Sequence, residues 1–186
     1  MRPSHPRTFT QPCRDPGKTP GSCSAAVRRP LGLWAASAPT AHLLHSLSLR
    51  LGLDWQLNGV SRPEVLALTN LGDSDPAALT ARCRPNRVTL CLDDEAGRSF
   101  ASRSPIPCFT YSESRPEADL TAYDLRTTSN GLTFLAVTKN ELAQVTVPEK
   151  ELYNALSALA CGITLGVPLT ASAEAVSDLL CRAASI

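Results

Sequence analysis

The pattern of apolar and polar positions divides the chain into two textures. The opening "MRPSHPRTFTQPCRDPGKTPGSCSAAVRRP" has almost no apolar periodicity and is broken throughout by proline, so residues 1–39 predict a tail without regular structure. Leu43, Leu44, Leu47 and Leu51 then recur at helical spacing, which predicts one short amphipathic helix and a linker over residues 40–63. From Glu64 short apolar runs alternate with turn residues. Val65 to Thr69 reads as a buried strand entering the acidic loop "NLGDSDP", "AALTARC" as a short helix, "RVTLCL" as a second strand followed by the acidic turn "DDEAGR", and "PCFTYS" as a third strand. Strands separated by helical segments predict a mainly parallel α/β sheet, in which ligands gather at the carboxyl ends of the strands.

The pattern then changes to three β-rich runs, "LTAYDLRTT", "LTFLAVT" and "LAQVTV". Asn130-Gly131 and Lys139-Asn140 join them, and both joints tolerate positive φ, so residues 120–147 predict a three-stranded antiparallel meander. Leu132, Phe134 and Ala136 fall on one face of it. The end is helical, with Leu152, Leu156, Leu159, Ala160 and Ile163 on one stripe behind Pro148. Gly166-Val167-Pro168 stops that helix. Thr170 or Ser172 is expected to cap a last one carrying Val176, Leu179, Leu180 and Ala183.

Charge sharpens the division. Residues 1–63 carry a net charge of +6 and residues 64–186 one of −5, which the overall +1 conceals. An arginine-rich, acid-poor opening admits three readings: a disordered basic tail, translated sequence outside the native frame, or an organellar transit peptide. It lacks interleaved aromatics and any recognisable reading module, which argues against a nucleic-acid partner. No apolar run approaches the length of a membrane span, and no signal-peptide apolar region opens the chain. The seven cysteines are odd in number and contain no Cys-x-x-Cys pair, so reduced thiols and a cytoplasmic location are expected.

Few residues offer chemistry. His42 and His45 lie three apart on the first predicted helix, but no third ligand is visible, and a polar flank is the better reading. Gly17-Lys18-Thr19 looks like the end of a phosphate loop, yet prolines surround it and no buried strand precedes it, so the backbone N–H cradle that a phosphate needs is not prepared. Asp73, Asp75, Asp93 and Asp94 all sit at the carboxyl ends of predicted strands. Asp93 and Asp94 follow the apolar run "TLCL" directly. That placement suits either a solvated strand stop or a binding turn.

In this order, three segments resemble the central domain of the Mur ligases, over about 120 residues from Glu64. "ALTNLGDSD" resembles the family's Thr-Asn-(Leu/Ile)-x-x-Asp-His, "CLDDEAGR" its Asn-x-Asp-Asp-x-x-Gly-Arg, and "LYNALSALACGITLGVP" its Asn-Ala-Leu-Ala-Ala helix ending in Leu-Gly-Val. The nearest likeness is to the member that adds the third peptide residue. The resemblance implies an ATP-dependent, Mg²⁺-requiring ligase of peptidoglycan precursor synthesis. Such a ligase joins the carboxylate of a UDP-N-acetylmuramoyl-peptide to an amino acid through an acyl phosphate. It also implies Asp93, Asp94 and Asn154 as nucleotide-side contacts and Asp75 as a metal ligand.

The departures fall at site positions. Ser74-Asp75 replaces the family's Asp-His, Cys91 replaces an asparagine, and Tyr153-Asn154 matches only the second asparagine of Asn-x-x-Asn. The family's C-terminal domain is expected to be missing. The resemblance therefore implies a partial ligase, Mur-ligase-like over residues 64–186. A catalytically inactive binding module and a fragment of a damaged reading frame stand as the alternatives.

Overall fold

A computed structural model describes residues 31–69 and 75–183. The tail up to residue 30, with its Gly17-Lys18-Thr19, and the segment 70–74, with Asp73, lie outside the described residues.

Eight strands form a single sheet. β1 (Leu31–Ala35), α1 (Ala38–Arg50) and β2 (Trp55–Leu57) come first, followed by β3 (Val65–Leu68), α2 (Pro76–Cys83), β4 (Arg87–Cys91), α3 (Glu95–Ala101) and β5 (Cys108–Ser112). The antiparallel part is β6 (Leu120–Thr128), β7 (Gly131–Thr138) and β8 (Leu142–Val147), and the chain ends in α4 (Leu152–Thr164) and α5 (Leu169–Ala183). The order across the sheet is β2-β1-β3-β4-β5-β6-β7-β8. The first six strands in that order pair in parallel, and β6, β7 and β8 pair antiparallel. This is the α/β architecture with meander that the apolar pattern predicts.

Residues 31–39, expected to belong to the tail without regular structure, instead hold β1 and the start of α1, and residues 40–63 are more than a helix and linker because they also supply β2. β1 and β2 are hydrogen-bonded members of the same sheet, with Leu33 opposite Val65 and Leu31 opposite Trp55. "LGLWA" escapes a reading by pattern because it is five residues long, follows an arginine- and proline-rich run and contains a glycine. That glycine has a packing reason. The segment from β2 to β3 crosses beside β1, and a Cβ on Gly32 would stand 2.9 Å from Val60 Cγ1. Asn58, at positive φ, turns the crossing and accepts the Ala35 N–H on its side chain at 3.0 Å.

Alternate residues of the parallel strands face two cores, because strand side chains point to opposite sides. Leu33, Val65, Ala67 and Tyr111 face α1, α4 and α5. Leu66, Leu68, Val88, Leu90 and Leu92 face α2 and α3, through Leu79, Ala96 and Phe100. β3 is buried along its whole length, as a central parallel strand must be. Leu132, Phe134 and Ala136 face the larger core, the face the meander pattern assigned to them.

Two further expectations change. "DDEAGR" is not only a turn, since Glu95–Ala101 continues as a helix capped by Asp94. The last helix starts at Leu169, so Thr170 and Ser172 lie inside it and do not cap it. Ser172 is fully buried, and its hydroxyl has no hydrogen-bond partner among the described residues.

Two buried positions, one on α4 and one on α5, set opposite expectations for substitution. Leu156→Ala, at a fully buried position of α4, is expected to destabilise by about 2–5 kcal/mol in urea unfolding. Ser172→Ala removes a buried hydroxyl without a partner and is expected to raise the melting temperature or leave it unchanged. A melting temperature clearly lowered by Ser172→Ala would show that the hydroxyl is in fact bonded.

Candidate functional site

The carboxyl ends of β1, β3, β4 and β5 meet the N-terminal half of α4, and this edge gathers most of the buried polar side chains. Three contacts stitch α4 to the elements beneath it. The Thr40 hydroxyl, at the start of α1, donates to Asn154 Oδ1 at 3.0 Å. Thr69, just beyond β3, donates to Ser157 Oγ, and Thr89 on β4 lies 3.3 Å from Cys161 Sγ. Positions 154, 157 and 161 share one face of a helix by their spacing. Tyr111 of β5 closes the row, donating to Leu68 O at 3.2 Å with Thr69 Oγ1 at the same distance. Burial holds the Tyr111 and Cys161 protons on, pushing the Cys161 thiol up to about 12.

The acidic turn after β4 lies next to this row. Asp93 takes donors on both carboxylate oxygens: the Ser112 and Ser114 hydroxyls on Oδ1, and the Glu113 N–H on Oδ2 at 2.8 Å. Burial alone would raise its pKa, but these hydrogen bonds outweigh it and hold the carboxyl below the usual range. Asp94 accepts the Ala96 N–H at 3.0 Å and caps α3. Arg98 Nη1 returns to the carbonyls of Leu92, at 2.7 Å, and Asp93, at 3.0 Å. A Cβ on Gly97 would lie 2.2 Å from Cys91 O, so only glycine lets α3 approach β4 this closely. Every marked residue of "DDEAGR" thus has a partner or a packing reason inside the chain.

The four sequence candidates are dispersed. Asp93 and Asp94 sit at the end of β4, and Glu113 joins them to α4 by accepting the Tyr153 hydroxyl at 3.0 Å. Asn154 faces the other way, toward Thr40, and donates to Glu151 Oε2 at 2.9 Å. Asp75 caps α2 through the Ala77 N–H at 2.9 Å, on the opposite face of the sheet from α4. His42 and His45 are both exposed on α1, and among the described residues no three His, Cys, Asp or Glu side chains are grouped to hold a metal. Thr40, Ser112, Glu113 and Ser157 escaped the sequence reading, and Thr69 entered it only within the quoted "ALTNLGDSD". The one signal for Ser112 and Glu113 is that they stand at the end of β5 and directly after it.

A mononucleotide-binding sheet places its phosphate loop between the first strand and the helix after it, where the strand order reverses. Here that point lies between β1 and β3, and the turn is Ala36-Ser37 leading into Ala38-Pro39-Thr40. Of Gly-x-x-x-x-Gly-Lys-(Ser/Thr) only Thr40 is present. The residues present do not fit a triphosphate. A cavity of about 860 Å³ lies elsewhere, between α2 and α3, where Ala81, Phe100 and Ile106 line it together with Asp75, Arg84 and Arg103.

Comparison with known proteins gives this geometry its context. In a structure of the UDP-N-acetylmuramoylalanyl-D-glutamyl-2,6-diaminopimelate–D-alanyl-D-alanyl ligase from Acinetobacter baumannii, the match has a TM-score of 0.61 at 15% identity. It covers 79% of this chain and 45% of that one. The fold is that of the Mur ligases. A murein peptide ligase from Psychrobacter arcticus matches with a TM-score of 0.58 at 14% identity, over 79% of this chain and 46% of its own. By sequence, the UDP-N-acetylmuramoyl-L-alanyl-D-glutamate–2,6-diaminopimelate ligase of Bacillus velezensis is 30% identical over 99 residues, which is 52% of this chain and 20% of that protein. No family model matches. The chain spans under half the length of these Mur ligase structures and a fifth of that curated relative. Among the described residues no helix is long and apolar enough to cross a membrane.

Three substitutions test the local account. Gly97→Ala is expected to destabilise by about 1–3 kcal/mol through overpacking against Cys91 O, read by chemical unfolding. Asp93→Asn loses an ionised acceptor whose folded pKa lies below its unfolded one, so its contribution is complete above the unfolded value and lost as pH falls through the folded one. The gap in melting temperature between wild type and Asp93→Asn is therefore expected to hold steady from about pH 7 to 5 and to close below about pH 4. Burial pushes the Cys91 thiol up to about 11. Cys91 is expected to resist alkylation at about pH 8 until the protein unfolds, and a Cys91→Ser control identifies its share of the label.

Proposed function

We propose that this chain is the central-domain part of a Mur-type ligase of peptidoglycan precursor synthesis. The reaction class joins the carboxylate of a UDP-N-acetylmuramoyl-peptide to the amine of an amino acid at the expense of ATP. The observation that carries the reading is the coincidence of fold and motif. The eight strands form one continuous sheet of the Mur-ligase fold, and "CLDDEAGR" and the α4 segment stand on it in family order. The 99-residue similarity to a diaminopimelate-adding ligase supports a diamino acid as the incoming amine.

The chain's share in such a reaction is structural. Asp93 and Asp94 fix the strand end and the start of α3, Asn154 fixes α4 against α1, and Asp75 fixes the start of α2. Among the described residues Asp75 belongs to no group of three His, Cys, Asp or Glu side chains that could hold a metal. Cys83, Cys91 and Cys161 are thiols, which suits the cytoplasm.

A second reading, a binding module that does not turn over, is favoured by one specific observation. The polar groups at the strand ends are already paired with one another, where a site would leave them open to a ligand.

Saturation-transfer NMR with UDP-N-acetylmuramoyl-L-alanyl-D-glutamate is expected to show contact with the muramoyl-peptide end. UDP-N-acetylglucosamine serves as the control. With diaminopimelate and Mg–ATP added, product is expected at least about 10³-fold more slowly than from a full-length ligase, a loss of about 4 kcal/mol in transition-state stabilisation. Absence of muramoyl-peptide contact would overturn the ligase reading. Product at the full-length rate would overturn the reading of this chain as only the central-domain part of such a ligase.

A further inference from the structure

We propose that the β1–β3 switch point, where a nucleotide would enter this sheet, is closed to nucleoside triphosphates and held shut by the Thr40–Asn154–Glu151 hydrogen-bond chain between α1 and α4. The inference deepens the ligase reading and rests on it for its meaning, but its test requires no turnover.

Four observations converge on it. First, a phosphate cradle needs a run of free backbone N–H groups, and this turn offers few. The Ala36 N–H is bonded to Ala67 O, the Ala35 N–H to Asn58 Oδ1, the Ala41 N–H to Ser37 O, and Pro39 has none. Second, the concave nest that binds an anion alternates right- and left-handed backbone. Among the described residues the non-glycine positions at positive φ are Asn58, Arg84 and Asp124, so no residue from Ala35 to Ala41 supplies that hand. Third, Pro39 stands where the phosphate-binding lysine belongs, and the turn carries no other cation to replace it. Fourth, the space is already used. Thr40 is fully buried and Asn154 only 7% exposed. The threonine donates to Asn154 Oδ1 and the asparagine amide donates to Glu151. The Glu151 carboxylate on that chain adds negative charge where a polyphosphate would add more.

The hydrogen-bond chain thus does by side-chain pairing one part of what a bound phosphate does in a nucleotide-binding sheet: it ties the helix after β1 to the neighbouring elements. Thr40 and Asn154 are positioning residues in this account, and neither is assigned contact with a substrate.

The test is titration of the full chain with Mg–ATP by calorimetry, with ¹⁵N NMR of the Asn154 side-chain amide as a second readout. No saturable heat is expected, placing any affinity weaker than about 10 mM. The Asn154 amide signals are expected to stay in place, while a cooperative melt of the same sample shows that it is folded. Thr40→Val is expected to lower the melting temperature by the same amount with and without Mg–ATP. Saturable binding with movement of the Asn154 signals would overturn the proposal, as would a Thr40→Val deficit that Mg–ATP changes. Binding of the muramoyl-peptide is read separately, so failure of this inference leaves the ligase reading intact, and failure of the ligase reading does not by itself open the switch point.

Discussion

The contact on which the rest of this structure depends is that between α4 and the strand ends. α4 is buried on nearly all sides, with Ala155, Leu156, Ala158, Leu159 and Ala160 fully inaccessible. A helix in that position must present apolar groups almost everywhere, and any polar group it keeps must find a partner. It keeps three on one face, Asn154, Ser157 and Cys161, and each meets a threonine from a different segment: Thr40, Thr69 and Thr89. Those segments are distant in sequence, so the three pairs register α1, β3 and β4 against one helix. Apolar burial supplies the larger driving force but is indifferent to small slips, whereas a buried hydrogen bond is not.

The same economy governs the edge around β4 and β5. Asp93 ties the end of β4 to the segment after β5, Asp94 starts α3, Arg98 binds back the carbonyls of the turn, and Gly97 lets the helix descend onto it. Asp93 and Asp94, which the family resemblance implies as binding contacts, are therefore also what makes this turn fold, together with Gly97 and Arg98. Removing any of these contacts costs stability whether or not the turn meets a ligand. That is a physical reason for a Mur-ligase fold to keep "DDEAGR" while the turn after β1 carries neither the glycines nor the lysine of a phosphate loop. The β1 turn contributes little to the core, and alanine and proline satisfy the start of α1 well enough.

The fold also shows what a parallel sheet requires when its chain begins with an unpromising run. β1 and β2 are short, and Trp55 and Leu33 join the core from segments flanked by polar residues. Gly32 and Asn58 allow the crossing between β2 and β3 to be only a few residues long, without a helix. The meander ends the sheet differently. β8 is covered by α5, where Ser177 Oγ accepts the Thr146 N–H at 3.1 Å, so an edge that would otherwise offer free backbone groups is blunted.

The sequence by itself determined the elements whose signal is local. The Asn130-Gly131 hairpin, the alternation through β7 and the 3.6-residue stripe of α4 each follow from conformational preference and periodicity within a dozen residues. The strands from β3 to β5 follow from length and flanking turns, and the family likeness from motif order. What only the tertiary structure decided is whatever depends on a partner far along the chain. "LGLWA" becomes a strand because Val65 to Ala67 offers it an edge, Thr40 becomes buried because Asn154 reaches it, and Asp93 becomes a structural acceptor because Ser112 to Ser114 arrives beside it. A carboxylate at a strand end looks the same in sequence whether it awaits a ligand or is already satisfied. The difference lies in which donors the fold brings within three ångströms, and spacing along the chain does not encode that.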